Sequence, residues 1–201
     1  MKNILLIMVA ASIGLIASAC THEMALRADR AYPDSIVGSK ALRNREVILV
    51  VGPELREYRF TKETYNWAGG NLAPDHITFN VGEAFSLGLI KLCNHLFLAV
   101  DRSDSFREAR GRAKTGQIII MPEIGRTEMF LPSIRFNDIQ AEVMAKYSFY
   151  DDRGNLIDSK TVVGRGTKSL TFTKENYRIA MESALRDLIR QSNEAFLSLG
   201  R

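Results

Sequence analysis

Apolar residues recur along this chain in two periods, and each period predicts a different kind of element. The run "EVILVVG" from Glu46 to Gly52 is β-branched, of strand length and stopped by Gly52-Pro53, which predicts a buried strand. "LREYRF", Leu55 to Phe60, alternates apolar with polar residues and predicts a second, half-exposed strand. "TKETYNWAGGNLAPD" reads as a loop, broken by Gly69-Gly70 and Pro74. The period then changes. Asn80, with Glu83 three residues on, forms a variant of a capping box, and Phe85, Leu89, Leu92, Cys93, Leu96 and Phe97 follow at helical spacing.

"DRSDSFREARGRAKTGQ" is the most basic stretch and predicts a solvated turn or short helix, with contact to anionic lipid head groups as the functional alternative. "IIIMPEI" predicts a buried strand. In "DIQAEVMAKYSFYD", the residues Ile139, Ala141, Val143, Ala145, Tyr147 and Phe149 alternate without a break and line one face of a long strand. Asp151 to Asn155 supplies the turn and "LIDSKTVVGRG" the antiparallel return. A last helix begins near Thr173, with Tyr177, Met181, Leu185, Leu188 and Phe196 on its core face. The fold class expected from this order is α+β: a largely antiparallel sheet with two long amphipathic helices packed on one face, forming a single domain over residues 41–201.

What precedes residue 41 changes the picture. Met1-Lys2-Asn3 gives a positive start, Ile4 to Ile16 is uncharged and apolar, and Ala17-Ser18-Ala19 closes the segment, the layout of a secretory signal peptide over 1–19. The run is shorter than the roughly 20 apolar residues a spanning helix needs. "ASAC" resembles the lipobox of bacterial lipoproteins, with Ala17 where such families usually carry Leu. The resemblance implies that Cys20 is joined to diacylglycerol, cleaved at its amino side and acylated. Thr21, which is not Asp, then implies export to the outer membrane, facing the periplasm. A disulfide from Cys20 to Cys93, the other cysteine, is the competing reading. Residues 20–40 read as a lipidated N-terminus and flexible tether.

Charge and motifs narrow the chemistry. The formal net charge of +4 is mild and gives no reason to expect nucleic acid as a partner. Gly164-Arg165-Gly166-Thr167-Lys168-Ser169 lacks the spacing of a phosphate loop, so its glycines are read as letting a strand bend. His22, His76 and His95 offer no pair at metal-ligand spacing, and neither a cofactor motif nor a catalytic constellation stands out, so no catalytic residue, metal or cofactor is expected. Tyr65 and Trp67, in the glycine-bearing loop, are the candidate contacts to a protein partner, weighed against Trp67 simply covering the end of the sheet.

From Glu46 onward the layout resembles small periplasmic lipoprotein domains: those of the curli-secretion channel protein, the N-terminal domain of the Tol-system propeller protein, and auxiliary lipoproteins of envelope lipid transporters. The matching features are the strand ending at Gly52, the helix opening at Val81-Gly82-Glu83-Ala84, "IIIMPEI", the long hairpin and the closing helix. The resemblance implies a non-enzymatic accessory or assembly component of an envelope complex. A lipid-binding or lipid-transport auxiliary is the alternative, and a secreted hydrolase a more distant one.

Overall fold

A computed structural model describes residues 21–34, 36, 42–65, 74–131, 138–169 and 174–200. The described residues divide into two compact units, one holding 21–23, 61–65 and 74–78, and the other the described residues of 24–60 and 79–200. In the first, strands β1 (Thr21–Met24), β3 (Phe60–Tyr65) and β4 (Pro74–Phe79) form a three-stranded sheet in the order β1-β4-β3. The hydroxyls of Thr61 and Thr78 meet at 2.9 Å, and Thr64 donates to the Asp75 carbonyl.

The second unit is built on a five-stranded sheet of order β5-β2-β6-β7-β8: β2 Glu46–Val50, β5 Ala99–Ser103, β6 Ile118–Phe130, β7 Asp138–Tyr150 and β8 Leu156–Ser169. The expectation of a largely antiparallel sheet is corrected here. β2 runs parallel to both β5 and β6, while β6, β7 and β8 pair antiparallel, so the sheet is mixed. The strand that makes the difference is β5, whose "AVDRS" lies at a sheet edge with one residue buried and so carries no hydrophobic period. Parallel strands need a crossover. Helix α2 (Val81–Leu96) lies in the connection from β2 to β5, and the short helix α3 (Phe106–Arg112) in that from β5 to β6.

β2 is apolar at consecutive positions because both its faces are covered. Ile48 and Val50 join Ile119 and Ala109 of α3 in a buried cluster, while Val47 and Leu49, equally buried, point the other way. "LREYRF" is not a strand: Pro53–Arg56 is a single helical turn, α1, with Pro53 at its start, and β3 begins only at Phe60. Proline at a first helical position loses no hydrogen bond, which explains why the chain coils there.

The final helix, α4 (Lys174–Leu197), lies against β7 and β8. Gly164 and Gly166 permit this contact. A Cβ added to Gly164 would stand 2.2 Å from the Ala184 carbonyl oxygen, and one on Gly166 would stand 2.1 Å from that of Ala180. These glycines therefore serve close approach of helix and strand, a role beyond the strand bending expected of them. Tyr147 of β7 is fully buried beneath α4, its ring 5.0 Å from Phe196. Ser192 donates to the Leu188 carbonyl, so in its 2.5 Å contact with Ser192 Oγ the tyrosine hydroxyl is the donor.

Residues 24–34, expected to belong to a tether, have a place in this unit. Leu26 and Ala31 are buried, and the Leu26 N–H donates to Asn80 Oδ1 (2.7 Å). The Arg27 N–H donates to Glu182, and Arg186 donates twice to the Arg30 carbonyl. The three buried residues, Leu26, Ala31 and Pro33, follow neither a helical nor a strand period, so this docking leaves little trace in the sequence.

Candidate functional site

The sequence-derived site residues are placed unevenly. Cys20 and Trp67 lie outside the described residues, and Tyr65 is described only as the last backbone position of β3. His22 stands 4.0 Å from Asp75 within the three-stranded unit. Cys93 is fully buried on α2, where loss of solvation pushes its thiol pKa up and keeps it un-ionised.

A site that sequence reasoning missed lies at the carboxyl ends of β2 and β5. The chain leaves β2 through α2 to reach β5 on one side, then leaves β5 through α3 to reach β6 on the other side of β2. Open sheets with parallel strands form ligand crevices where the connections diverge in this way, outside the strand carboxyl ends. Here the Val51 N–H donates to the Ser103 carbonyl (2.8 Å) and holds the two strand ends together. Gly52 follows, where a Cβ would stand 2.7 Å from the Asp104 carbonyl oxygen. Gly82 permits the next close approach: its N–H donates to the Tyr58 carbonyl (2.9 Å), and a Cβ there would collide with the Leu55 carbonyl.

The charges at this end are organised by the first turn of α3. Ser105 caps it, accepting from the Glu108 N–H (3.2 Å), and Glu108 reaches back to accept from the Asp104 N–H (3.1 Å) and the Ser103 hydroxyl (2.8 Å). These bonds, the Ser103 hydroxyl first, hold the Glu108 carboxyl below its ordinary pKa. Arg112 lies 3.4 Å from the same carboxylate and donates to the Arg102 carbonyl. Arg56 of α1 donates to Asp104 (2.8 Å). The sequence signal was Ser105-x-x-Glu108, a capping box embedded in a stretch whose arginines dominate its composition.

Two clefts open around this junction. The smaller, about 380 Å³, lies between α2 and the end of β5, where Arg102, Glu83 and the apolar Leu87 and Ile90 form its walls. It also holds Ser86, 3% exposed, whose Oγ has no hydrogen-bond partner. The larger, about 690 Å³, lies between α1, the start of α3 and β6. Leu55, Tyr58, Phe106, Met121, Pro122 and Ile124 supply its apolar surface. Among the described residues no group of His, Cys, Asp and Glu is arranged to hold a metal, and no helix is long and apolar enough to cross a membrane.

No protein-family model matches the sequence, and neither does any curated protein. Solved structures do. A crystal structure of a DUF330-family protein from Xanthomonas campestris aligns over 90% of this chain and 97% of its own, with 12% identity and a TM-score of 0.58. A minor lipoprotein from Acinetobacter baumannii aligns over 77% and 95% with 8% identity and a TM-score of 0.41. A lipoprotein from Neisseria meningitidis aligns over 77% and 96% with 11% identity and a TM-score of 0.34. The first of these likenesses shows that the chain shares its α+β fold with the Xanthomonas protein.

Proposed function

We propose that this protein is a lipoprotein of the bacterial envelope, anchored through Cys20 to the periplasmic face of the outer membrane, where it serves as a non-enzymatic accessory that binds another envelope protein. The anchoring part rests on "ASAC" and the signal-like segment before it. Two or more acyl chains make such an anchor stable, since each buried methylene contributes about 0.8 kcal/mol.

The observation that carries the binding part is the state of the carboxylates at the strand ends. Asp104 is engaged by Arg56, and Glu108 is held ionised by hydroxyl and backbone donors in the wall of the smaller cleft, beside Leu87 and Ile90. A general acid or base works best with a pKa near the working pH, whereas Glu108 is pushed the other way. Fixed, satisfied charges around apolar surface favour recognition over proton transfer.

Intact-mass measurement of the mature protein tests the anchor. The expected product begins at Cys20 and is heavier than the bare chain by diacylglycerol and an amide-linked acyl group. An uncleaved Met1, or a lipid-free Cys20, removes the anchor from the proposal. Tyr65 and Trp67 belong to the proposed partner contact on sequence grounds, and unchanged partner recovery after Tyr65→Ala with Trp67→Ala would exclude them.

A further inference from the structure

We infer that the larger cleft is a docking groove for a partner segment that combines Lys or Arg with aliphatic or aromatic side chains. This inference rests on the reading of the protein as a partner-binding accessory. The charge of the lining carries it. The chain as a whole has a formal net charge of +4, yet every charged residue of this cleft is acidic: Glu54, Asp104 and Glu123. All three are exposed, while Leu55 and Pro122 are buried and Tyr58, Phe106, Met121 and Ile124 are half-buried. Arg56 reaches Asp104 from outside the lining, and Lys146 sits opposite Glu123 in the β6–β7 ladder without lining the cleft.

An apolar floor inside a polar rim is the anatomy of a recognition surface, and a rim of one sign selects a partner of the other. The same rim argues against other occupants. Anionic head groups would face the carboxylates of Glu54 and Glu123, with Asp104 already paired to Arg56. Two copies joined groove to groove would oppose their acidic rims. A basic segment with apolar side chains satisfies both surfaces together. Gly52 and Gly82 hold α1 close to the strand end and to α2, so the groove is preformed and asks little reorganisation of the protein on binding.

The test uses the full-length chain in neutral detergent, with fluorescein-labelled nine-residue peptides alternating Lys with Leu, Glu with Leu, and Lys with Ser. Anisotropy should show the Lys/Leu peptide binding at least about tenfold more tightly than either control, and more weakly as salt rises. Glu54→Gln with Glu123→Gln should weaken it about three- to tenfold, and Glu194→Gln, at an exposed position of α4, should leave it unchanged. Met121→Ser should weaken it at all salt concentrations. Equal binding of the Lys/Leu and Lys/Ser peptides, or full affinity in both the double variant and Met121→Ser, would overturn the proposal. So would a salt-sensitive self-association that the peptide displaces, which would give the groove to a second copy. If every peptide fails while the double variant still recovers a partner from cells, the groove is wrong and the accessory reading stands; loss of all partner recovery in the unaltered protein sinks that reading itself.

Discussion

Single residues set the tolerance of this fold, and its glycines show it most sharply. Gly164 faces backbone: an added Cβ would stand 2.2 Å from the Ala184 carbonyl oxygen and 2.4 Å from the Leu188 nitrogen. Neither atom can rotate away as a side-chain end could, so α4 would have to lift from β8. Gly111, exposed on α3, would meet nothing within 4 Å. The same chemical change should therefore have opposite signs at the two positions. Gly164→Ala is expected to cost about 3 kcal/mol, or about 6–12 °C in Tm for a chain of this size. Gly111→Ala should stabilise by about 0.5 kcal/mol, because alanine loses less conformational freedom in a helix. Thermal unfolding of the two variants decides the matter. A Gly164→Ala protein as stable as the parent would mean that helix and strand do not meet as closely as described.

At the scale of elements, the exposed problem is β8, the last strand of the larger sheet, 14 residues long. An open strand edge is a template for another strand unless something blunts it. Two carboxylates do so here. The Arg165 N–H donates to Asp187 Oδ2 of α4 (3.0 Å), and the Ser159 N–H to Asp158 Oδ1 (2.7 Å). Both donors are thus satisfied within the chain, and Lys160, Arg165 and Lys168 add charge along the strand. Asp158→Ala combined with Asp187→Ala should free both N–H groups and lead to concentration-dependent association, read by light scattering after size exclusion. A double variant that elutes and scatters like the parent at every concentration would show that these carboxylates do not protect the edge.

For the whole molecule, what could be read from sequence followed burial. β2, β7 and both long helices bury continuous or periodic apolar faces, and each was visible as a pattern. β5 buries one residue and the docked segment 24–34 three, Leu26, Ala31 and Pro33, without a regular period, and both are held largely by backbone and charged-group bonds, so hydrophobic periodicity could not find them. The strand-end site was hidden for a different reason: it is assembled from α1, β5, α3 and β6, and only the topology brings those together.

Ionised groups at several of these places give the molecule a common response to acid. Glu108 is held below its ordinary pKa first by the Ser103 hydroxyl, Asp151 first by the Asn155 amide, Asp158 first by Lys160 and Glu175 first by Arg178. Folding binds protons less tightly at each group, so each favours the folded state where the unfolded carboxylate is already ionised, above about pH 5. That contribution is lost as pH falls through the depressed folded-state values, below about pH 4. Glu108 and Glu175 are exposed and Asp151 and Asp158 half-buried at the surface, so the effect should shrink as salt rises. Urea unfolding at pH 7, 5.5, 4 and 3 should show a stability little changed by these groups between the first two and falling across the last two. Asp151→Asn with Glu108→Gln should be less stable than the parent at pH 7 and fall less steeply below pH 4. Parallel pH profiles for the two proteins would show that the turn at Asp151 and the cap at Glu108 do not act through their charge, and that the acid response resides elsewhere in the chain.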